Sequence, residues 1–240
     1  MNSFKLFSAL FISLLLFSCA AHAPKVVDTK SIQTSGVTEE VLTAEESAIV
    51  ASIPGPPAPE SEEDQSDVAK LLTLQETRTE KDCARAKTEA EFSLQHFFGP
   101  PYGPLKMKEV EKLNPFYEEI NRESYRPNLI GAAKKKWHRI RPFSAHPEIE
   151  PCVKKEPSFS YPSGHTAMSR IYSLALSEVF PKLRKKLLWR ANQIALDRMI
   201  GGVHYPSDVR DAKILADRIF QYMKKREDFQ KALAEAKAQF

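Results

Sequence analysis

From Ala167 to Leu176 the chain is apolar over most of the circumference of a helix. Ala167, Ile171, Leu174 and Ala175 form one stripe at helical spacing, and Met168, Tyr172 and Leu176 fill faces that a surface helix would give to polar residues. Such a helix is expected at the centre of the fold, with other helices packed around it. Pro181 ends it. Ala212, Leu215, Ala216, Ile219, Phe220 and Met223 form a single apolar stripe suited to packing against that centre. Further helices are predicted over roughly 67–98, 105–121, 127–138 and 183–199, with Pro100-Pro101-Tyr102-Gly103-Pro104 as a hard break. No segment sustains the alternation of a strand, so the expected class is all-α, a single compact helical bundle.

The N-terminal part is of another kind. Residues 1–18, MNSFKLFSALFISLLLFS, carry one positive charge and an apolar run of signal-peptide length ahead of Cys19. Leu16-Phe17-Ser18-Cys19 resembles a bacterial lipobox, which would make Cys19 the lipidated mature N-terminus and tie the protein to a membrane. Ala21-His22-Ala23 offers a second cleavage point, poorly followed by Pro24, and both remain open. Ala20 after Cys19 fits sorting to an outer membrane, so the expected location is periplasmic with a lipid anchor there. A lipidated Cys19 leaves Cys83 and Cys152, an even pair that an oxidising compartment permits to bond.

Residues 19–66 read as an acidic, Pro-rich, disordered tether, ending in Ile53-Pro54-Gly55-Pro56-Pro57-Ala58-Pro59 and Glu60-Ser61-Glu62-Glu63-Asp64. Thr38 to Val50 is a short helical stretch with little apolar surface to dock. Two lysines stand against nine acids over residues 20–66, a net of −7; with Lys5 at +1 and the whole chain at +4, residues 67–240 carry +10. This basic helical domain suits an anionic substrate. It holds no second run of about 20 apolar residues, which argues against a polytopic membrane protein.

Three stretches point to phosphate. In KKKWHRIRPF, Lys134 and Arg141 are seven apart, two turns of a helix, so both side chains are expected on one face as an anion clamp, with Pro142 placing the guanidinium near a loop. In FSYPSGHT, Ser163 caps the central helix, whose unpaired amides and dipole favour an anion. Gly164 admits close backbone approach, and His165 can hold or release a proton near neutrality. In DRMIGGVHYPSDV, Arg198 adds a cation, and Asp208 at the start of the last helix can accept the ring N–H of His204, leaving its other nitrogen with a free lone pair.

Lys-x6-Arg-Pro, Pro-Ser-Gly-His and Arg-x5-His-x3-Asp, in this order, resemble the three-part signature of the type 2 phosphatidic acid phosphatase superfamily. That superfamily includes class A bacterial acid phosphatases, membrane lipid phosphatases and vanadium haloperoxidases. Arg139-Ile140-Arg141-Pro142-Phe143, Ser160 to Thr166 and Ser207-Asp208-Val209 are most similar to the class A acid phosphatases. The resemblance covers roughly residues 54–225. It implies the acid phosphatase/vanadium haloperoxidase type of bundle, acting on small phosphorylated substrates without cofactor or metal. His204 would be the nucleophile oriented by Asp208, His165 the acid, and Lys134, Arg141, Ser163, Gly164 and Arg198 the phosphate ligands. One position departs: Asp197 stands where the family usually has Ser, and if it faced the site its charge would oppose an anion. A lipid or lipopolysaccharide phosphatase with the same site, and a non-catalytic anion-binding lipoprotein, remain alternatives. Nucleic acid, drawn by the same charge, would leave the ordered histidines unexplained.

Overall fold

The computed structural model describes residues 42–122 and 128–240. Every regular element among them is helical. Helix α8 (Gly164–Val179) lies at the centre, with twelve of its sixteen residues buried, and α9 (Arg184–Ile200) and α10 (Pro206–Met223) pack directly on it. Each member of the 212–223 stripe is buried. The interior serines of α8 fold their hydroxyls back onto the helix: Ser169 donates to Thr166 O at 3.1 Å and Ser173 to Arg170 O at 2.8 Å. They thereby satisfy a buried polar group without a neighbour's help.

The helix expected over 67–98 is three helices, α2 (Glu62–Thr77), α3 (Glu80–Thr88) and α4 (Leu94–Phe98). Caps cut it. Thr79 forms a capping box with Asp82, and the Ser93 hydroxyl accepts from His96 N. The tether also ends earlier than expected, because Ala44–Ala51 already forms a helix packed on the bundle. Helix α1 (Ala44–Ala51) buries Ile49 and Val50 in the main core, with Ile53 just beyond it, against α6 (Leu129–Trp137) and α10. Three aliphatics within five residues suffice to dock a two-turn helix once α6 and α10 supply the groove. The expected signal segment, Cys19 and the rest of the expected tether lie outside the described residues.

Helix α5 (Met107–Asn121) and α11 (Glu227–Lys237) close one side, with Phe229 of α11 buried against Phe116 and Phe220. A short helix, α7 (Pro142–Ala145), opens the segment that leads to α8. Cys83 and Cys152 form a disulfide with a Cα–Cα distance of 5.8 Å, tying α3 to the loop between α7 and α8. No helix among the described residues is long and apolar enough to cross a membrane.

Candidate active site

The cap at Ser163 is real and leaves the residue free for more. Its oxygen accepts from Thr166 N at 3.4 Å and Thr166 Oγ1 at 3.0 Å, so its own O–H remains available to donate. The first-turn amides of α8, Gly164 and His165 among them, precede any intrahelical acceptor. A Cβ added at Gly164 would meet only Lys134 Cε, at 4.0 Å, which places the lysine arm over the helix start.

Lys134, Arg141 and Arg198 converge here, though not as the spacing suggested. Helix α6 ends at Trp137 because His138 turns left-handed at φ 50°, and Arg141 sits on the extended residue that caps α7. The two cations meet through a chain reversal rather than along one helical face. Lys134 Nζ donates to Phe159 O and, at 3.3 Å, to Ser160 O. Burial and then the Arg141 charge push its pKa down to about 7. Arg198 is fully buried, and burial lowers it to about 10. Its Nη2 donates to Glu156 at 3.2 Å, while its buried Nε and Nη1 have no partner.

His204 lies in the loop between α9 and α10, where Gly202 has φ +71°, a conformation L residues rarely adopt. An added Cβ there would come within 3.2 Å of Pro151 Cα. Arg141 Nη1 approaches His204 Nε2 at 2.9 Å, and Asp208 Oδ2 lies 3.3 Å from Nδ1. A guanidinium only donates, so Nε2 carries the lone pair and Nδ1 the proton, directed at Asp208. Burial, then Arg141, Lys134 and Arg198, hold the ring's pKa well below the usual histidine value.

Asp208 is fully buried and held from four sides. Besides His204 it accepts from Ser160 Oγ at 2.5 Å, Tyr205 N at 2.9 Å and Arg139 Nη1 at 2.8 Å. Arg139 reaches on to Asp64 and Asp67 of α2, at 2.8 and 3.2 Å. Asp64, counted from sequence among the tether's acids, thus belongs to the site's support.

His165 is 3% exposed, with the Phe92 ring at 4.0 Å. Its Nε2 lies 3.1 Å from Ala90 O, which accepts only, so that nitrogen bears a proton. Burial and then the Arg198 charge hold its pKa well below the usual range.

Asp197 turns away from this cluster. It receives Arg85 through Nε and Nη2, both at 2.7 Å, and Gln193 Nε2 at 3.2 Å. Its charge is therefore matched by a residue of α3. Glu89, buried beside it and paired with Arg190 at 2.6 Å, is pushed up to about 8 by burial and by Asp197.

All eight side chains or backbone positions expected at the site come together around the start of α8. Arg139, Ser160, Glu156, Asp64 and Asp67 were not anticipated. Arg139 had a signal: it precedes Arg141 by two on a non-helical stretch, where alternate residues share a side. No cluster of His, Cys, Asp or Glu suited to a metal occurs among the described residues.

A family model described as the PAP2 superfamily matches residues 127–215, which contain all three motifs. A non-specific acid phosphatase of Providencia stuartii is 30% identical over 183 residues, 74% of this chain and 73% of that protein. One of Salmonella typhi is 35% identical over 112 residues, 44% of each chain. An acid phosphatase of Zymomonas mobilis is 35% identical over 92 residues, 36% of this chain and 34% of its own. Among solved structures, a transmembrane PAP2 type phosphatidylglycerolphosphate phosphatase from Bacillus subtilis aligns with a TM-score of 0.46. It is 20% identical and covered over 90% of its length, against 75% of this chain.

Proposed function

This chain belongs to the PAP2 superfamily and is a phosphatase, and from the site's geometry we propose an exported acid phosphatase that hydrolyses phosphate monoesters through a phosphohistidine. The observation that carries this reading is the placement of His204: Asp208 Oδ2 at 3.3 Å from Nδ1 and Arg141 Nη1 at 2.9 Å from Nε2 assign the proton to Nδ1 and aim the Nε2 lone pair into the cationic pocket. Nε2 attacks phosphorus in line, and the P–O bond to the leaving alcohol breaks as His165 supplies its proton. Water, deprotonated by His165, then cleaves the P–N bond to release orthophosphate and restore the neutral His204.

Lys134, Arg141 and Arg198 supply the positive charge that spreads over the equatorial oxygens, with the Ser163 hydroxyl and the Gly164 amide as further donors. Positive charge fixed on three side chains leaves the reaction no need of a metal ion, so activity should survive exhaustive chelation.

The pH dependence follows from the two histidines. His204 must be neutral and His165 protonated. Both pKa values are depressed, so the neutral nucleophile persists far into acid and the acid is lost early as pH rises. The phosphoryl dianion raises both when bound, which keeps a working window on the acid side of neutrality.

The test is turnover of an aryl phosphate at acid pH, with His204→Ala and His165→Ala expected to remove nearly all of it. An acid-labile phosphoenzyme should be trapped from wild type and be missing in His204→Ala. Normal turnover in His204→Ala would end this reading. A panel of soluble monoesters against lipid phosphates decides the substrate class, and metabolic lipid labelling of wild type against Cys19→Ser tests the anchor.

A further inference from the structure

The loop between α7 and α8 places a carboxylate against two of the three cations that the proposed mechanism assigns to the phosphoryl group. Glu156 Oε2 accepts from Arg141 Nη2 at 3.1 Å, and Oε1 from Arg198 Nη2 at 3.2 Å. One carboxylate spanning two guanidiniums copies how two equatorial phosphoryl oxygens would be held, since both groups present paired oxygens to the guanidinium fork. Building on the phosphatase reading, we infer that Glu156 is an internal competitor for the phosphate site, whose carboxylate must leave the two arginines before a substrate can bind.

Three observations support exchange over a permanent strut. First, every N–H of Arg141 is taken: Nε by Ser158 O, Nη1 by Val203 O and His204 Nε2, and Nη2 by Glu156 and Ser158 Oγ. A phosphoryl oxygen can reach this guanidinium only by replacing an acceptor. The two carbonyls are backbone, whereas the Glu156 carboxylate sits on a flexible arm that is 32% exposed.

Second, Glu156 also lines an open cavity of about 420 Å³ together with Ile140, Phe143, Ser144 and Lys155, which gives the displaced arm somewhere to go. Third, the carboxylate leaves the guanidinium of Arg198 incompletely served. Arg198 Nε and Nη1 remain buried and unpartnered, a costly state that a ligand with more acceptor oxygens than a carboxylate would relieve.

The consequence concerns which phosphates the enzyme accepts. A carboxylate of charge −1 yields to a dianionic monoester terminus more readily than to a monoanionic diester, so Glu156 acts as a specificity-determining residue that favours the former.

The test uses orthophosphate as the probe, titrated calorimetrically into full-length protein carrying His204→Ala, with and without Glu156→Gln. Glutamine keeps the shape and one acceptor oxygen but removes the competing charge. Affinity for orthophosphate should rise about tenfold or more, a change of about 1.4 kcal/mol per factor of ten. In the otherwise wild-type enzyme, KM for an aryl phosphate should fall by a similar factor while kcat moves less. Glu156→Asp, which keeps the charge on an arm too short to span both arginines, should also tighten binding. Unchanged or weakened orthophosphate binding in both variants would overturn the inference and make Glu156 a strut. If His204→Ala turned over substrate normally, the phosphohistidine reading would fail, and the orthophosphate comparison would still decide the role of Glu156.

Discussion

Replacing Arg139 by methionine should unbalance the site from behind, and the size of the effect follows from what the guanidinium holds. Nη1 donates to Ser207 Oγ at 2.7 Å and Asp208 Oδ1 at 2.8 Å, and Nη2 serves Asp64 and Asp67. The plane lies 3.7 Å over the Tyr205 ring. Methionine retains much of the apolar stem, so the loss is chiefly electrostatic. Asp67 and Asp208 have side-chain exposures of 7% and 0%, and each would lose its cation without gaining water. Removing one partner from a buried ion pair costs about 3–5 kcal/mol. Domains of this kind have about 5–15 kcal/mol in all, so the variant should fold with most of its margin gone.

The pH dependence supplies the sharper check. Burial already holds the Asp67 carboxyl above the usual range, with Ser207 and Arg139 opposing the rise. Without Arg139 it rises further. A carboxyl whose folded pKa exceeds its unfolded value, near 4, contributes fully to stability below that value and loses the contribution as pH climbs through the folded one. The penalty in Arg139→Met should therefore be full at pH 7 and shrink toward pH 4. Urea denaturation across that range measures it. Turnover should fall about tenfold to a hundredfold, because Asp208 keeps Ser160 and Tyr205 but loses the contact that fixes its second oxygen. A variant as stable as wild type at pH 7, or a penalty that grows on acidification, would refute the reasoning.

Lys134, pushed down to about 7, is charged below that pH and neutral above it, so KM for a monoester should climb as pH passes 7. Lys134→Met should raise KM in acid and flatten that climb, as KM-against-pH profiles would record. The Cys83–Cys152 bond closes a loop with a sequence separation of 69, for which chain entropy gives about 4 kcal/mol. Cys83→Ser with Cys152→Ser should lower Tm by about 8–16 °C, at about 2–4 °C per kcal/mol for a domain of this size, and lower the urea midpoint with little change in kcat.

The elements with strong local signals were legible. A helix apolar over most of its circumference is expected at the centre, where α8 lies, and the 212–223 stripe packs toward it. The placement of Ser163, His165, His204 and Asp208 was readable because it depends on near neighbours: a cap, a first-turn position, a His-Asp spacing of four across a helix start. The early end of the tether was not readable. Ile49, Val50 and Ile53 are too few to look amphipathic until α6 and α10 supply a groove.

The electrostatics of the site lay beyond the sequence because charges act through distance in space. Asp197 looked like a threat to anion binding, yet its charge is matched by Arg85, 112 residues away. Arg139 read as one more base in a basic run, and Asp64 as one more acid on a leash. Only their meeting behind Asp208 makes them part of the machinery. Glu156 had no motif at all. By itself the sequence determined the helical class, the central helix and the order of the motifs, since these follow from periodicity and local chemistry. Which charges face one another, and so which cation and acids brace Asp208 from behind, which residue neutralises Asp197 and which carboxylate meets Arg141 and Arg198, was decided by tertiary packing alone.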